Sequence, residues 1–413
     1  MSEPIVFENA RILDGSSARG EWDHFVRVAN GKIAEVSDRP IGDTTARRID
    51  LKGKTLMPGL IDCHVHVIAA LLDLGRNAAL PDALVAYHAA AIMKGMLLRG
   101  FTTVRDLGGA THALVEALEQ GLVPGPRLVI CGKALSQTGG HSDFRGRYNN
   151  RDPGYQTRRL GAMGRICDGV DQIRLAARDE LRQGATFVKI MANGGVASPT
   201  DPIAFLGFSR DEIKAVVEEA HSAQTYVAAH LYTDEAIARA VECGVRSVEH
   251  ANLIEAPTAR LMRDKGAIAC PTLVTYEALK DEGVSLGFPP DSVAKIDDVS
   301  IRSPRSLEIL FEAGVTMAYG TDLLGGLHRH QSEEFVIRGR VLAPIEVIRS
   351  TTCHAAELIG MVGQVGVVAP GAFADLIVVD GDPLSDLALL TRQGRHMPII
   401  LKGGQFVKNE MKA

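Results

Sequence analysis

Short runs of alternating apolar and polar residues occupy both ends of the chain and predict antiparallel β-sheet. Residues 25–36 alternate on either side of Asn30-Gly31, a dipeptide that tolerates the positive φ angles of a type I′ hairpin turn. Residues 374–382 and 397–410 are again strand-like, and the second segment carries a Gly-Gly pair suited to a turn. The pattern therefore predicts a β-rich unit to which both chain ends contribute.

The middle of the chain follows a different pattern, in which short apolar strands alternate with amphipathic helices. Such alternation is typical of parallel strands joined by helical crossovers. Ser209 and Glu212 form a capping box at the start of one helix, and Thr233 can cap the next. The predicted strands span residues 56–67, 101–108, 128–136, 186–194, 226–232, 247–252, 268–274 and 316–322. Glycines stand where helices stop just before a strand, at Gly100, Gly184, Gly244, Gly266 and Gly314.

Repeated strand–helix units of this kind make a closed (β/α)8 barrel the most economical topology, so the predicted fold class is α/β. We expect this TIM barrel to span residues 58–362 and to carry a small β-sandwich domain formed by residues 1–57 and 363–413. The catalytic groups of such a barrel lie at the carboxyl ends of its strands. Functional side chains are therefore expected at those ends.

Composition and charge narrow the class of protein and its partners. The chain has 45 Lys and Arg against 50 Asp and Glu, which gives a net charge of -5. A protein with this charge lacks the broad positive field that binds nucleic acid. No stretch approaches about 18 uninterrupted apolar residues, and the first residues do not resemble a secretory signal. The 6 cysteines are scattered without a CxxC pair, which favours reduced thiols. We therefore expect a cytoplasmic protein that binds neither nucleic acid nor membranes.

Four histidines and one aspartate fall at or near the carboxyl ends of predicted strands. His64 and His66 are two residues apart, so their side chains share one face of a strand, and two neutral imidazoles there suit a divalent cation. An isolated pair of this kind, or a single histidine, is more often an ordinary core or surface residue. His230, His250 and Asp322 reach the same end of the predicted barrel, however. This joint placement is hard to explain by packing and predicts a metal site.

Lys189 lies inside the fourth predicted strand and needs a separate explanation. An ammonium group has three donors and no acceptor, so an unmodified lysine cannot ligate a cation. On its own, the residue is explained by a salt bridge to a neighbouring carboxylate.

Several segments resemble the amidohydrolase superfamily, in the order and strand positions of that family: GLIDCHVHV, FVKIMANGG, AAHLYTDEA, VEHAN and YGTD. The tail from Gly363 to Pro383 is similar to the family's return into its β-sandwich. Within the superfamily, the chain resembles the metal-dependent dipeptidases of the imidazolonepropionase-related branch, which cleave Xaa-Pro and related N-acyl amino acids. Residues 139–143, 189–198, 230–232 and 320–335 carry this narrower likeness.

The resemblance implies two divalent metal ions, most simply zinc, although imidazole and oxygen ligands leave manganese and cobalt open. It also implies that Lys189 is a carbamate, formed from the neutral amine and carbon dioxide, whose oxygens bridge the two metals. The implied ligands are His64, His66, Lys189 and Asp322 for the first metal and Lys189, His230 and His250 for the second. A homo-oligomer is expected as well.

The implied reaction is hydrolysis of the amide bond of a dipeptide or N-acyl amino acid with a free carboxylate. A hydroxide that bridges two cations is a nucleophile near neutral pH, while one metal polarises the carbonyl. Asp322 would accept the proton and pass it to the leaving nitrogen, unless it serves as a ligand only. By resemblance, His141 and Tyr232 contact the carbonyl and the terminal carboxylate of the substrate, although Tyr232 could instead pack at the rim of the barrel.

Other interpretations stay open. The site also suits a cyclic-amide hydrolase such as imidazolonepropionase, an aryl-amide hydrolase of the ochratoxin type or, more remotely, a scaffold without activity. The motifs do not decide whether the leaving residue is proline, basic or a bulky aromatic. His328 and His330 could be site or surface groups, and His354 replaces a residue that is usually small or an amide. The arginine-rich segment 145–165 is either a solvated face or a positive rim that steers anionic substrates.

Overall fold

The computed structural model describes residues 3–17 and 20–411. Residues 1, 2, 18, 19, 412 and 413, which belong to the predicted sandwich, lie outside the described residues. The strands are β1 (Ile5–Ile12), β2 (Glu21–Ala29), β3 (Lys32–Ser37), β4 (Arg47–Asp50), β5 (Thr55–Pro58), β6 (Leu60–Val65), β7 (Phe101–Asp106), β8 (Arg127–Ile130), β9 (Ala134–Ser136), β10 (Gly164–Ile166), β11 (Val188–Met191), β12 (Val227–Thr233), β13 (Ser247–Leu253), β14 (Ile268–Cys270), β15 (Leu376–Val379), β16 (Ile399–Lys402) and β17 (Gln405–Asn409).

The helices are short and mostly lie between the parallel strands. They are α1 (Leu74–Ala79), α2 (Asp82–Leu98), α3 (His112–Glu119), α4 (Pro153–Thr157), α5 (Gly169–Arg182), α6 (Arg210–Ser222), α7 (Asp234–Glu242), α8 (Ala256–Asp264), α9 (Val274–Glu282), α10 (Pro290–Val293), α11 (Ile296–Ser300), α12 (Ser303–Glu312), α13 (Glu334–Gly339), α14 (Pro344–Ser350) and α15 (Cys353–Leu358). 3₁₀ segments lie at Gly325–Glu333, Leu387–Leu390 and Arg392–Gly394. No helix of the described residues is long and apolar enough to span a membrane.

Both chain ends contribute to one mixed sheet, as the alternating pattern predicted. Its strand order is β17-β16-β15-β5-β1-β2-β3, with β4 beside β1. The β2–β3 hairpin turns at Asn30 and Gly31, whose φ angles of 52° and 77° fit a type I′ turn. These strands form a single sheet, so the two-layered sandwich stays a prediction, as do the domain limits at residues 57/58 and 362/363.

The middle of the chain forms parallel sheet with helical crossovers, which confirms the α/β class. One parallel sheet has the order β6-β7-β8 and the other the order β10-β9-β11-β12-β13-β14. The predicted strand 128–136 divides into β8 and β9, because Gly132 adopts a φ of 68° between them. Strand β10 was not predicted; it lies in the insertion after β9 and pairs with β9 in parallel.

The last predicted strand, residues 316–322, contributes only an isolated parallel bridge between Met317 and Ala269. Its backbone nevertheless lies against the first parallel strand, because the Cys63 N–H donates to Tyr319 O at 2.7 Å and the Asp322 N–H to His64 O at 2.8 Å. A closed ring of strands is not assigned within residues 3–17 and 20–411. The closed barrel therefore stays a prediction, which these hydrogen bonds support.

Helix punctuation follows the sequence signals closely. The capping box of Ser209 and Glu212 is present, and the Thr233 hydroxyl accepts the Ala236 N–H. Each of the predicted stop glycines has a positive φ, namely Gly100, Gly184, Gly244, Gly266 and Gly314. All 6 cysteines are free, as predicted, and only Cys353 is more than slightly exposed.

Candidate active site

The side chains singled out in the sequence converge on a small cavity at the carboxyl ends of the parallel strands. The cavity has a volume of about 40 Å³. Its polar wall comes from strands β6, β11, β12 and β13, from the segment that follows β9 and from the segment that follows Met317. The polar side chains that line it include His64, His66, His141, Lys189, His230, His250 and Asp322.

Two of these residues adopt a left-handed backbone conformation that side chains other than glycine rarely tolerate. His250 has a φ of 71° and Asp322 a φ of 52°. In a regular strand, Glu249 and His250 would face opposite sides of the sheet. The turn at His250 instead lets Glu249 reach His64 while His250 reaches His230. Strained backbone of this kind persists only where the surrounding contacts enforce it, and such residues cluster at functional sites.

The hydrogen bonds behind the imidazoles fix which ring nitrogens face the cavity. His230 Nε2 lies 3.2 Å from Gly194 O, which can only accept, so Nε2 carries the proton and Nδ1 keeps its lone pair. This Nδ1 lies 2.9 Å from His250 Nε2. His64 Nδ1 likewise donates to Glu249 at 2.9 Å, which leaves its Nε2 facing the cavity. The imidazoles are thus oriented as metal ligands are.

The geometry of the polar cluster is consistent with a cation in this cavity. Ligand atoms of His64, His250 and Asp322 all lie within 4.8 Å of one another. Asp322 Oδ1 is 3.1 Å from His66 Nε2 and 3.4 Å from His64 Nε2. The buried Nδ1 of His66 has no hydrogen-bond partner in the described part of the chain. Imidazole nitrogens and carboxylate oxygens are the donors that zinc takes, so the residues present fit a divalent metal.

A fully buried ion pair below the cavity supports His64. Arg105 donates to both carboxylate oxygens of Glu249, at 2.8 and 3.0 Å. Burial alone would raise the pKa of Glu249, but Arg105 and His64 together outweigh it and hold that pKa well below its ordinary value. Glu249 therefore stays ionised and fixes the tautomer of His64.

Sequence reasoning missed both members of this pair. Glu249 stands directly before a predicted ligand in VEHAN, and Arg105 stands beside Asp106 in the otherwise uncharged segment FTTVRDLG. A charged residue in a buried strand, next to a candidate ligand, is the signal that could have found them.

Lys189 is 1% exposed and has no ion pair or hydrogen bond at its Nζ among the described residues. The salt bridge that would have been the ordinary explanation of this residue is therefore not found. Burial lowers the pKa of Lys189, although Glu249 and Asp322 act in the opposite direction.

His141 and Tyr232 both pack on the imidazole of His230. The ring of His141 stacks on it with centroids 4.0 Å apart, and the ring of Tyr232 meets it edge-on at 4.6 Å. The His141 Nδ1 also lies 2.7 Å from Ser198 Oγ. Tyr232 is buried, and its hydroxyl lies 3.1 Å from that of Tyr276. Tyr232 thus stands beside the cavity rather than in its wall.

Apart from Ser142, the remaining wall of the cavity is apolar. Apart from Lys189 and Asp322, no lysine, arginine, aspartate or glutamate of the described residues lines it. The apolar side chains of the wall are Leu74, Phe144, Met163, Met191, Ala197 and Leu324. A bound molecule would therefore meet hydrocarbon on one side and the polar cluster on the other.

The other histidines considered in the sequence lie outside the cavity wall. His328 is buried with its Nε2 3.1 Å from Ala69 O, and burial lowers its pKa to about 3. His330 lies between two glutamates, with Nε2 2.7 Å from Glu282 and Nδ1 2.9 Å from Glu333. His354 Nδ1 is 3.3 Å from Met317 O, at the opposite end of the eighth predicted strand.

Half of the arginines of segment 145–165 are neutralised by carboxylates of the same chain. Arg145 pairs with Asp143 at 2.7 Å, Arg159 with Asp82 at 3.1 Å and Arg165 with Asp179 at 2.7 Å. This pairing favours the solvated-face interpretation of the segment over a positive rim.

Comparison with known proteins identifies the class that this fold and site define. The family model described as the amidohydrolase family matches residues 55–405. Ochratoxinase of Aspergillus niger is 32% identical over 370 residues, which cover 86% of this chain and 75% of that protein. Imidazolonepropionase of Ralstonia nicotianae is 28% identical over 405 residues, which cover 89% of this chain and 88% of that protein.

Among solved structures, a prolidase in complex with N-methylphosphonate-L-proline is 50% identical to the chain. Its TM-score is 0.97, and the match covers 98% of this chain and 100% of that one. The chain therefore belongs to the amidohydrolase family, as its motifs predicted. It is a hydrolase that acts on carbon–nitrogen bonds, and its relatives include both prolidase-like and imidazolonepropionase-type enzymes.

Proposed function

We propose that the protein is a binuclear metal-dependent amidohydrolase that cleaves the amide bond of dipeptides or N-acyl amino acids, as an Xaa-Pro dipeptidase or carboxypeptidase does. The observation that carries the proposal is the convergence of four imidazoles, one carboxylate and a buried lysine on one cavity. The similarity to a prolidase crystallised with a proline analogue supports this class of substrate.

The donor set fits a pair of divalent cations, with zinc preferred because the donors are imidazole and oxygen. Such cations supply a nucleophile at neutral pH and polarise the scissile carbonyl. The residues that would hold the first are His64, His66, Lys189 and Asp322, and those that would hold the second are Lys189, His230 and His250.

Lys189 can serve as a ligand only after chemical change, because an ammonium has no lone pair. We propose that its neutral amine adds to carbon dioxide with loss of a proton, which gives a carbamate with two acceptor oxygens. The buried position and the lack of an ion-pair partner within the described chain support this assignment.

Among the groups of the chain itself, Asp322 is best placed to move protons. Its Oδ1 lies within 3.1 and 3.4 Å of two imidazoles at the cavity wall. Asp322 would accept a proton from the attacking water and deliver it to the leaving nitrogen, a role that requires hydrogen-bond reach of both atoms.

His141 and Tyr232 would orient the substrate through its carbonyl oxygen and terminal carboxylate. Both pack on His230, so a substrate that contacts them also lies against the proposed metal ligands. The apolar wall favours proline or an aromatic residue over a basic one, because Asp322 is the only carboxylate of the described residues that lines the cavity.

We also propose the finer architecture and the setting of the enzyme. The backbone contacts of residues 316–322 with β14 and β6 support a closed (β/α)8 barrel of residues 58–362. Residues 1–57 and 363–413 would form the β-sandwich. The free thiols are consistent with a reducing compartment, for which we propose the cytoplasm, and we expect a homo-oligomer.

The test is a measurement of kcat/KM over a panel, with metal content determined in the same sample. The panel contains Xaa-Pro dipeptides, dipeptides with basic or aromatic carboxyl-terminal residues, N-acyl amino acids, an aryl amide of the ochratoxin type and an imidazolone lactam. Cleavage of Xaa-Pro or N-acyl-proline bonds with the highest kcat/KM supports the proposal. Selective turnover of the lactam, or no turnover of any dipeptide or N-acyl amino acid, overturns it.

The variant Lys189→Ala tests the metal assignment separately. It should lose both bound metal and activity, because the side chain that would hold both metals is gone. Full turnover by this variant after chelation and desalting would contradict the binuclear mechanism.

A further inference from the structure

Lys295 lies between α10 and α11, in the long excursion after β14, and reaches across to a loop about a hundred residues earlier in the chain. Its Nζ donates to three backbone carbonyls, Gly195 O at 3.0 Å, Ser198 O at 2.8 Å and Asp201 O at 2.9 Å. An ammonium has three N–H donors, so one loop takes all of them. Such convergence fixes the loop at three points.

The loop that Lys295 holds, residues 194–201, follows the strand of Lys189 and is part of the site. Its first residue accepts from His230 through Gly194 O at 3.2 Å. The Gly195 N–H donates to Asp201 Oδ2 at 2.9 Å, which closes the loop on itself. The buried Ser198 Oγ lies 2.7 Å from His141 Nδ1. The loop thus contacts a proposed metal ligand and a proposed substrate contact at once.

Contact between this loop and His141 is close enough to decide where the imidazole lies. A Cβ at Gly195 would stand 1.9 Å from ring atoms of His141, so the ring rests directly on the backbone of the loop. Asp201 Oδ2 is a further 3.5 Å contact of the same Nδ1. A shift of residues 195–201 would therefore disturb His141, because both polar partners of its Nδ1 and the backbone beneath its ring belong to that segment. The stacked ring of His230 is a further contact of His141 that lies outside the segment.

We propose that Lys295 is a positioning residue, which holds residues 194–201 in the conformation that presents His141 to the substrate. It touches no reacting group itself and acts through the three carbonyls. An ammonium suits this task because its donors diverge from one nitrogen, whereas the planar fork of arginine cannot meet three carbonyls around a point. The inference rests on the proposed function only where it assigns substrate contact to His141.

The test compares Lys295→Met with the matched control Lys280→Ala. Lys280 belongs to the same excursion, is exposed, and pairs with Asp297 at 2.7 Å without touching the loop. In Lys295→Met, we expect KM for the best substrate of the panel to rise about tenfold while kcat changes less than about threefold, because an interaction made in both ground and transition states is lost. Lys280→Ala should retain both constants, and Lys295→Arg should restore only part of the affinity.

Amide hydrogen exchange supplies a readout that does not need activity. Peptides that cover residues 192–203 should exchange about tenfold faster in Lys295→Met than in the wild type, because the loop opens more often. The same peptides should be unchanged in Lys280→Ala. If Lys295→Met is obtained in too low a yield, Lys295→Gln keeps a polar side chain that is one atom shorter and can donate at most two of the three hydrogen bonds.

The outcomes separate this inference from the proposed function. Unchanged hydrogen exchange in residues 192–203 of Lys295→Met overturns the role of Lys295 whatever the enzyme cleaves. Changes in KM and kcat that are the same in Lys295→Met as in Lys280→Ala overturn it as well. Faster exchange without any turnover of amides by the wild type leaves the loop contact standing and overturns the proposed function. Faster exchange with an unchanged KM shows that the loop does not position a substrate contact, and also overturns the inference.

Discussion

The buried pair of Arg105 and Glu249 offers the sharpest test of how this site is supported. Both side chains are fully buried, and Arg105 also donates to Cys63 O at 2.6 Å and to Ser247 Oγ at 3.1 Å. The change Arg105→Met keeps most of the volume of the side chain but removes its charge and donors. Glu249 would then be an ionised carboxylate in the core, and the His64 imidazole and the Ser247 hydroxyl would be its remaining hydrogen-bond donors.

The size of the effect follows from the cost of leaving one charge of a buried pair alone. Removal of one partner costs about 3–5 kcal/mol, because the desolvation of the other charge is no longer compensated. For a chain of 413 residues, the entropy of unfolding is about 0.9 kcal/mol/K, so Tm should fall by roughly 3–6 °C. The double variant with Glu249→Gln removes the stranded charge and should recover about 1–3 kcal/mol of the summed losses.

Thermal and denaturant unfolding of the metal-free proteins measures these differences without a contribution from metal binding. Arg182→Met serves as the matched control, because this arginine is 71% exposed at its side chain and pairs with Asp179 on the surface. The control should lose no more than about 1 kcal/mol. A loss of less than about 1 kcal/mol in Arg105→Met, or strict additivity in the double variant, would refute the reasoning that the pair is mutually compensating.

Three further predictions concern the metal, the substrate contact and pH. Glu249→Gln should weaken metal affinity about 10–100-fold, because a neutral amide that accepts more weakly replaces the carboxylate that fixes the tautomer of His64; competition with a chelator measures this, and unaltered affinity contradicts it. Gly195→Ala should raise KM at least about tenfold by pushing His141 away, whereas Gly146→Ala, where a Cβ meets open space, should not; equal KM values in the two would disprove the contact. Burial lowers the pKa of Lys133 from 10.5 to about 8, so the unfolded state binds more protons between these values and stability rises with pH there. This contribution, on the order of 3 kcal/mol, should vanish in Lys133→Met, and parallel stability curves for the two proteins from pH 8 to 10.5 would exclude it.

Local sequence patterns predicted what depends on neighbours along the chain. The hairpin turn at Asn30 and Gly31, the capping box at Ser209 and the stop glycines need only a few adjacent residues, and the structure confirms them. Most of the parallel strands were also found, because each is a short apolar run between helices; the exceptions are residues 316–322, which form only an isolated bridge, and β10, which was not predicted. Their limits shifted by one to a few residues where a single glycine or a loop interrupts the run, as at Gly132 between β8 and β9.

Contacts across the fold could not be read in this way. Lys295 and the carbonyls that it binds are about a hundred residues apart, and nothing in the surrounding residues marks that lysine among others. Arg105 and Glu249 lie in different strands, and the sequence does not show that their charges meet. Such pairs become visible only when the register and facing of the strands are known, because a charge in an apolar strand then needs a named partner.

The turn at His250 shows why the site is more than the sum of its strand positions. Simple alternation predicted that His64 and His66 share a face, and both do line the cavity. The same rule applied to β13 would have turned either Glu249 or His250 away from it. A left-handed residue at the strand end removes that choice, so one strand supplies both a group that faces the cavity and the carboxylate that orients the imidazole of His64 on β6. The strained backbone is therefore part of the chemistry, since a relaxed strand could provide only one of the two groups.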